Sequence, residues 1–310
     1  MKGLVVRNTG SWFEVRTPEG EIVQCKVKGN FRLKGIRSTS PVVVGDNVEF
    51  VRNNEGTAFI THIDDRRNYI VRKATNLSRQ SHILAANIDL CLLVVALKQP
   101  TTSVVFIDRF LATAEAYRVP VAIIINKVDL LTEQELAEAE SLADIYRDIG
   151  YEVMLCSVTE RIGLDRLPDL LRGKTSLLAG NSGVGKSEML NYLVPDAKAK
   201  TSPVSEVHLS GMHTTTFSTM YDLPDEGQII DIPGVKGFGT FNFEREEVYH
   251  FFREIFRVGE HCRFGNCLHL SEPGCAVREA VDDGRIAASR YNSYLNMLDD
   301  QDESKYRQGY

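Results

Sequence analysis

The chain has no apolar run long enough to cross a membrane. Its longest, Ile88 to Leu97, is interrupted by Asp89 and falls short of the roughly 18 residues a span needs. No membrane partner is expected. The first residues show no basic stretch leading into an apolar core and a cleavage site, so no signal peptide is expected either. Positive charge is not in excess: 36 Lys and Arg stand against 42 Asp and Glu, a formal net charge of −6. That removes any general pull toward nucleic acid. Cysteines are few. Cys25, Cys91 and Cys156 lie singly in strand-like runs and read as small core residues. The other three, Cys262, Cys267 and Cys275, are clustered, and without a secretory signal they argue for metal rather than disulfides. A cytoplasmic protein of about two or three domains is the expectation from 310 residues of this composition.

What is present begins with strands. Val5-Val6, Trp12 to Val15, Ile22 to Cys25 and Asn47 to Val51 cluster β-formers, and Gly10, Gly20, Gly29-Asn30, Gly45-Asp46 and Gly56 punctuate them. About five short strands over residues 1–75 predict a small all-β barrel of OB type. Within it, Lys26, Lys28, Arg32, Lys34 and Arg37 accompany Phe31 with no acid among them, whereas the tail around Asp299, Asp300, Asp302 and Glu303 is acidic. OB barrels hold RNA on a basic, aromatic-bearing face. A solvated charged loop is the other reading of the same run. Residues 66–81, again basic, read as a link onward.

From residue 88 the period changes. Ile88 to Val95 reads as a buried strand, Thr102 to Tyr117 as a helix, Val121 to Ile125 as a strand, Thr132 to Ile149 as a helix opened by a capping box, and Tyr151 to Cys156 as a strand. That alternation predicts a parallel sheet with helices on both faces.

In this α/β region lies Gly180-Asn181-Ser182-Gly183-Val184-Gly185-Lys186-Ser187, the spacing G-x-x-x-x-G-K-[ST], preceded by the apolar Leu177-Leu178-Ala179 and followed by a helix-like run. Strand, glycine loop and helix form a phosphate cradle: backbone N–H groups converge on an anion at the positive end of a helix. Lys186 is placed to reach the β- and γ-phosphates and Ser187 to hold Mg²⁺. The base reader is Asn126-Lys127-Val128-Asp129, directly after a strand. A carboxylate at Asp129 accepts from both N1–H and N2–H of guanine, a donor pair adenine lacks. GTP is therefore preferred and an ATP-using enzyme disfavoured. Asn126 braces the loop and the Lys127 stem covers the base. Cys156, Ser157 and Val158 are expected to offer N–H groups to the guanine carbonyl. Downstream, Thr215 is expected to close over Mg²⁺ and the γ-phosphate, Asp231 to hold Mg²⁺ through water, and the Gly234 N–H to touch the γ-phosphate. Both loops should relax after hydrolysis.

Two features are unusual. The base reader precedes the phosphate loop, the reverse of ordinary small GTPases, so the domain is expected to be circularly permuted. Val235 follows Gly234 where many GTPases place a water-orienting glutamine, which predicts slow intrinsic turnover. His213, just before the switch threonines, is the residue expected to orient water. A loop histidine bonded to backbone is the alternative.

The C-terminal region opens with the stripe Val248, Phe251, Phe252, Ile255 and Phe256, which predicts one packed helix. Then Cys262, Cys267, His269 and Cys275 supply four soft or imidazole ligands within 14 residues. They suit one closed, structural Zn²⁺ site; reduced free thiols are the alternative.

Taken together, these modules resemble the RsgA (YjeQ/YloQ) family over nearly the whole chain. The resemblance rests on the barrel, the motif order Asn126–Asp129, Gly180–Ser187, His213–Thr216 and Asp231–Gly234, and the cysteine cluster. It implies a multidomain protein: an OB-type barrel over residues 1–75, a circularly permuted α/β P-loop GTPase domain over 76–243, and a mostly helical zinc-binding domain over 244–310. It further implies a monomeric GTPase that acts late in maturation of the small ribosomal subunit. The subunit and its rRNA are the partners, with both the barrel and the zinc domain in contact, and hydrolysis of GTP to GDP is stimulated there. A basic N-terminal extension is minimal or absent, so rRNA contact through a tail is not expected. A permuted GTPase of the large subunit, like the YlqF group, is the competing assignment. The barrel and the cysteine cluster speak against it.

Overall fold

A computed structural model describes residues 1–27, 41–53, 57–73, 81–197, 218–224, 226–232 and 243–306. The N-terminal strands close on themselves. β1 (Lys2–Asn8) pairs with β2 (Phe13–Arg16), and β2 with β3 (Ile22–Val27). β3 lies parallel to β5 (Ala58–Ile63), β5 pairs with β4 (Asn47–Arg52), and β4 returns to β1. Alternation turns Val5, Phe13, Val15, Val23, Cys25, Val48, Phe50 and Ile60 inward. This is the expected five-stranded barrel.

The stretch 66–81, read as a link, holds a strand. β6 (Tyr69–Lys73) pairs antiparallel with β7 (Ser81–Ala86). Its apolar face packs on Val43 and Tyr117, partners remote in sequence, so the local pattern gave little sign of it.

Five parallel strands form the central sheet in the order β10 (Glu152–Leu155), β9 (Val121–Asn126), β8 (Leu90–Ala96), β11 (Thr175–Ala179), β13 (Gln228–Asp231), with β12 (Thr219–Asp222) antiparallel at the edge. Both faces are covered, which is why β8 and β9 are continuous apolar runs. Helices α1 (Val104–Ala116) and α2 (Glu133–Ile149) pack on one face. Helices α3 (Leu167–Leu171) and α4 (Lys186–Leu193) pack on the other. The capping box at Thr132 and Glu135 is present, with Glu135 also gripping Lys98 at 2.9 Å.

Edge strand β12 continues into the barrel. The Asn8 N–H donates to the Ser218 carbonyl (3.1 Å), Arg7 stands opposite Thr219, and Arg16 grips both oxygens of Asp222 at 2.7 and 2.8 Å. One sheet therefore runs from the barrel to the heart of the α/β domain.

The C-terminal region is helical: a 3-10 turn at Arg245–Phe251, then α5 (Arg253–Gly259), α6 (Ala276–Asp282) and α7 (Ala288–Tyr306). The single helix expected from the stripe is in two pieces, broken at Phe252, whose backbone is extended. The break lets Val248, Phe252 and Ile255 all enter the core and leaves Phe256 42% exposed. Among the described residues, no helix is long and apolar enough to cross a membrane.

Candidate functional site

Three segments distant in sequence meet at the carboxyl ends of the central strands. β11 ends at Ala179, β9 at Asn126, and β13 at Asp231, which lies opposite Leu178 in the register. Ligands of open α/β sheets bind beyond these ends. In the loop after β11, Gly180, Gly183 and Gly185 have φ of 139°, 84° and 100°. Two of them also face a close neighbour. A Cβ on Gly180 would run into the Val94 carbonyl oxygen, and one on Gly185 into the Asn126 side-chain amide. Asn126 is buried there for a reason. Its Nδ2 donates to the Val184 carbonyl (2.9 Å), and its Oδ1 accepts from the Val158 N–H (3.1 Å). One amide thus ties the glycine loop, the Asn126–Asp129 segment and the turn after β10 into a unit.

Lys186 opens α4, and its Nζ donates to the carbonyls of Gly180 (2.9 Å) and Asn181. Burial pushes its pKa down, while the Asp231 and Glu188 carboxylates push it back up. Asp231 is pushed up to about 6 by burial, against the pull of Lys186. A divalent cation beside Asp231 would favour the carboxylate and reverse that shift. Ser187 follows Lys186 in the first turn of α4, half-buried. Lys127 sits in the left-handed region at φ 66° and its Nζ donates to the Gln99 carbonyl. Sequence reasoning missed Gln99, since a backbone acceptor leaves no residue-type signal. Asp129 stands exposed in the short turn Val128–Leu130.

One expectation needs correction. The N–H groups of Cys156, Ser157 and Val158 are not free to meet a base in this structure. They donate to the Ile125 carbonyl (2.8 Å), the Ile162 carbonyl (3.0 Å) and Asn126 Oδ1. Those acceptors come from the neighbouring strand and from a returning turn, which the tripeptide alone could not reveal. His213, Thr215, Gly234 and Val235 lie outside the described residues, as do Lys28, Phe31, Arg32, Lys34 and Arg37. Lys26 is described: its ammonium lies 4.1 Å from the centroid of the Trp12 ring.

The second constellation is in the C-terminal region. The donor atoms of Cys262, Cys267, His269 and Cys275 all lie within 4.8 Å of one another. His269 Nδ1 is 3.5 Å from the sulfurs of both Cys262 and Cys275, and those sulfurs are 3.9 Å apart. Around a tetrahedral Zn²⁺, with sulfur at about 2.3 Å and nitrogen at about 2.0–2.1 Å, the S–N and S–S edges are about 3.5 and 3.8 Å. Cys262, His269 and Cys275 stand at that spacing, and Cys267 completes a four-donor set within 4.8 Å that could hold the ion. Burial raises the Cys267 and Cys275 pKa values, so an ion would have to draw off their protons. Burial lowers the His269 pKa against the opposing pull of Glu272, which favours the neutral ring a metal ligand needs. The Nε2 of His269 is buried without a hydrogen-bond partner, which leaves Nδ1 as the nitrogen facing the thiols.

Comparison with known proteins adds to this geometry. Residues 63–241 match the family model described as RsgA GTPase, and residues 2–60 match the one described as RsgA N-terminal domain. The chain is 57% identical over 310 residues to a protein of Bacteroides thetaiotaomicron named small ribosomal subunit biogenesis GTPase RsgA 2, with all of both chains covered. Among solved structures it is similar to YjeQ from Thermotoga maritima, at 33% identity and a TM-score of 0.77, covering 97% of this chain and 98% of that one. It is also similar to YloQ, described as a circularly permuted GTPase, at 29% identity and a TM-score of 0.72, covering 98% and 95%.

Proposed function

The chain belongs to the RsgA GTPase family, and from that premise we propose that it binds the small ribosomal subunit and assists its late maturation, hydrolysing GTP to GDP and phosphate with stimulation by the subunit. The observation that carries the guanine-nucleotide part is the Asn126 amide. It ties the Gly180–Ser187 loop to the Asn126–Asp129 segment, which supports reading the two as phosphate cradle and base reader of one nucleotide. The name of the Bacteroides thetaiotaomicron relative supports the ribosomal part.

In this reading Lys186 neutralises the β- and γ-phosphates, and the N–H groups of Gly180 to Ser187 wrap them. Ser187, Thr215 and Asp231 serve Mg²⁺, supplied with GTP, and Gly234 senses the γ-phosphate. Asn126, Lys127 and Asp129 hold the base beside the Cys156–Val158 turn. With Val235 unable to orient water, His213 takes that role when the subunit orders its loop. Lys26, Lys28, Arg32, Lys34 and Arg37 contact rRNA. Cys262, Cys267, His269 and Cys275 hold one structural Zn²⁺, whose ligation would staple the loops between α5 and α6. The protein works in the cytoplasm as a monomer, with functional divisions near residues 75 and 243.

Steady-state GTP hydrolysis with small subunits, with large subunits and with neither tests the proposal. Strong stimulation by small subunits alone is expected. Stimulation by large subunits, or none, would withdraw the partner and leave the nucleotide site standing. The base reader has its own test. Asp129→Asn removes one of two acceptors for the guanine N–H pair together with a charge, so GTP affinity should fall about 10- to 100-fold while ATP affinity stays unchanged. Undiminished GTP preference in that variant would remove Asp129 from the role.

A further inference from the structure

The zinc ligands sit on loops, and loops do not hold a tetrahedral cage without help. His269 is the most demanding of the four. Its backbone is left-handed at φ 60°, a region non-glycine residues seldom occupy. Something must hold the chain there, and the hydrogen bonds identify what does. The Leu268 N–H donates to Glu272 Oε1 at 2.7 Å. The N–H groups of Leu270 and Ser271 donate to Glu272 Oε2 at 2.8 and 3.0 Å. A single carboxylate therefore collects N–H groups from both sides of His269. Two phenols complete the frame from α7: the Tyr294 hydroxyl donates to the Leu268 carbonyl at 2.7 Å, and the Tyr291 hydroxyl donates to the His269 carbonyl.

We propose that Glu272 is the positioning residue of the metal centre: its carboxylate gathers the backbone on either side of His269 and so presets the imidazole before the ion arrives. The inference rests on the zinc reading above. Glu272 is not a ligand. Its two oxygens are taken by three N–H donors, and the cage has its four donors without it. An ionised carboxylate is the side chain for this task, because it is acceptor-only and offers about four lone-pair sites. Glutamine has nearly the same shape but replaces one oxygen with an NH₂ group, which must then face an N–H donor. The wrapped carboxylate is held below its ordinary pKa by those N–H groups despite its partial burial.

The test uses the full chain as wild type, Glu272→Gln and Glu272→Ala, and competes each for zinc against a chromogenic chelator. Outer-shell changes of this kind typically cost about 10- to 100-fold in metal affinity, and a loss in that range is expected in both variants, larger for Ala. Cobalt(II) in place of zinc gives a second readout. Its visible bands report ligand geometry, and in Glu272→Gln they should shift or weaken, which a general loss of stability elsewhere would not produce. GTP binding, carried by the α/β domain in the reading above, serves as a fold control and should be unchanged in each variant. Wild-type zinc affinity together with wild-type cobalt bands in Glu272→Gln would overturn the inference. Failure of the wild-type chain to bind zinc at all would instead overturn the metal reading beneath it.

Discussion

Lys186→Ala is expected to lower GTP hydrolysis by at least about 100-fold, the scale for removing one preorganised electrostatic group from a transition state. The reason lies in where the fold holds Lys186. Its part-buried ammonium donates to two backbone carbonyls of its own loop, those of Gly180 and Asn181. Burial lowers its pKa, so the charge is poorly solvated and is worth more to an incoming polyanion than a surface lysine's would be. Glu188 and Asp231 keep that charge in place. Truncation should leave the fold intact, since among the described residues the hydrogen bonds of Nζ go to carbonyls of its own loop. Single-turnover hydrolysis, with far-UV circular dichroism as a fold control, measures the effect. A loss of less than about threefold would mean that Lys186 does not face the transferring phosphate, whatever else the glycine loop binds.

The parts of this site that were legible in the sequence are those in which chemistry demands residue types at fixed spacing along one segment. The Gly180–Ser187 loop needs glycine where φ is positive, and it shows glycine there. The metal cluster needs thiols and imidazole close along the chain. What stayed hidden depends on where remote segments arrive. Gly185 looks like a loop glycine, yet its lack of a side chain also admits the Asn126 amide from another strand. Cys156 to Val158 looked like donors for a base until the Ile125 and Ile162 carbonyls took two of them. β6 was mistaken for a link because its packing partners, Val43 and Tyr117, lie elsewhere. Arg290 gave no signal at all: it lies in a helix rich in polar residues, yet it is 1% exposed.

Arg290→Met is expected to destabilise the protein by about 3–5 kcal/mol, the range for removing one partner of a buried ion pair. The guanidinium joins three elements. Nη1 donates to Asp108 Oδ1 of α1 at 2.7 Å, and Nε and Nη2 donate to both oxygens of Glu254 of α5 at 2.7 and 3.1 Å, all from α7. The Tyr146 hydroxyl of α2 adds a fourth element, donating to Asp108 at 2.8 Å. Burial alone would lower the Arg290 pKa, but the Asp108 and Glu254 charges raise it, so it stays charged. Burial raises Asp108 against the opposing pull of Arg290. Without the arginine, two buried carboxylates would be left unpaired at the boundary between the α/β domain and the C-terminal helices. That boundary should then be the first place to open. Urea unfolding followed by tryptophan fluorescence and by zinc release separates the two sides. The single Trp12 reports the barrel, and zinc release, if the ion is bound as proposed, reports the helices. Zinc release should move to lower urea than the barrel transition. Replacing the whole triad with Asp108→Leu, Glu254→Leu and Arg290→Met should recover much of the loss, because an apolar replacement leaves no charge unpaired. A single Arg290→Met variant within about 1 kcal/mol of wild type would show that water reaches the triad and that these ions do not hold the two domains together.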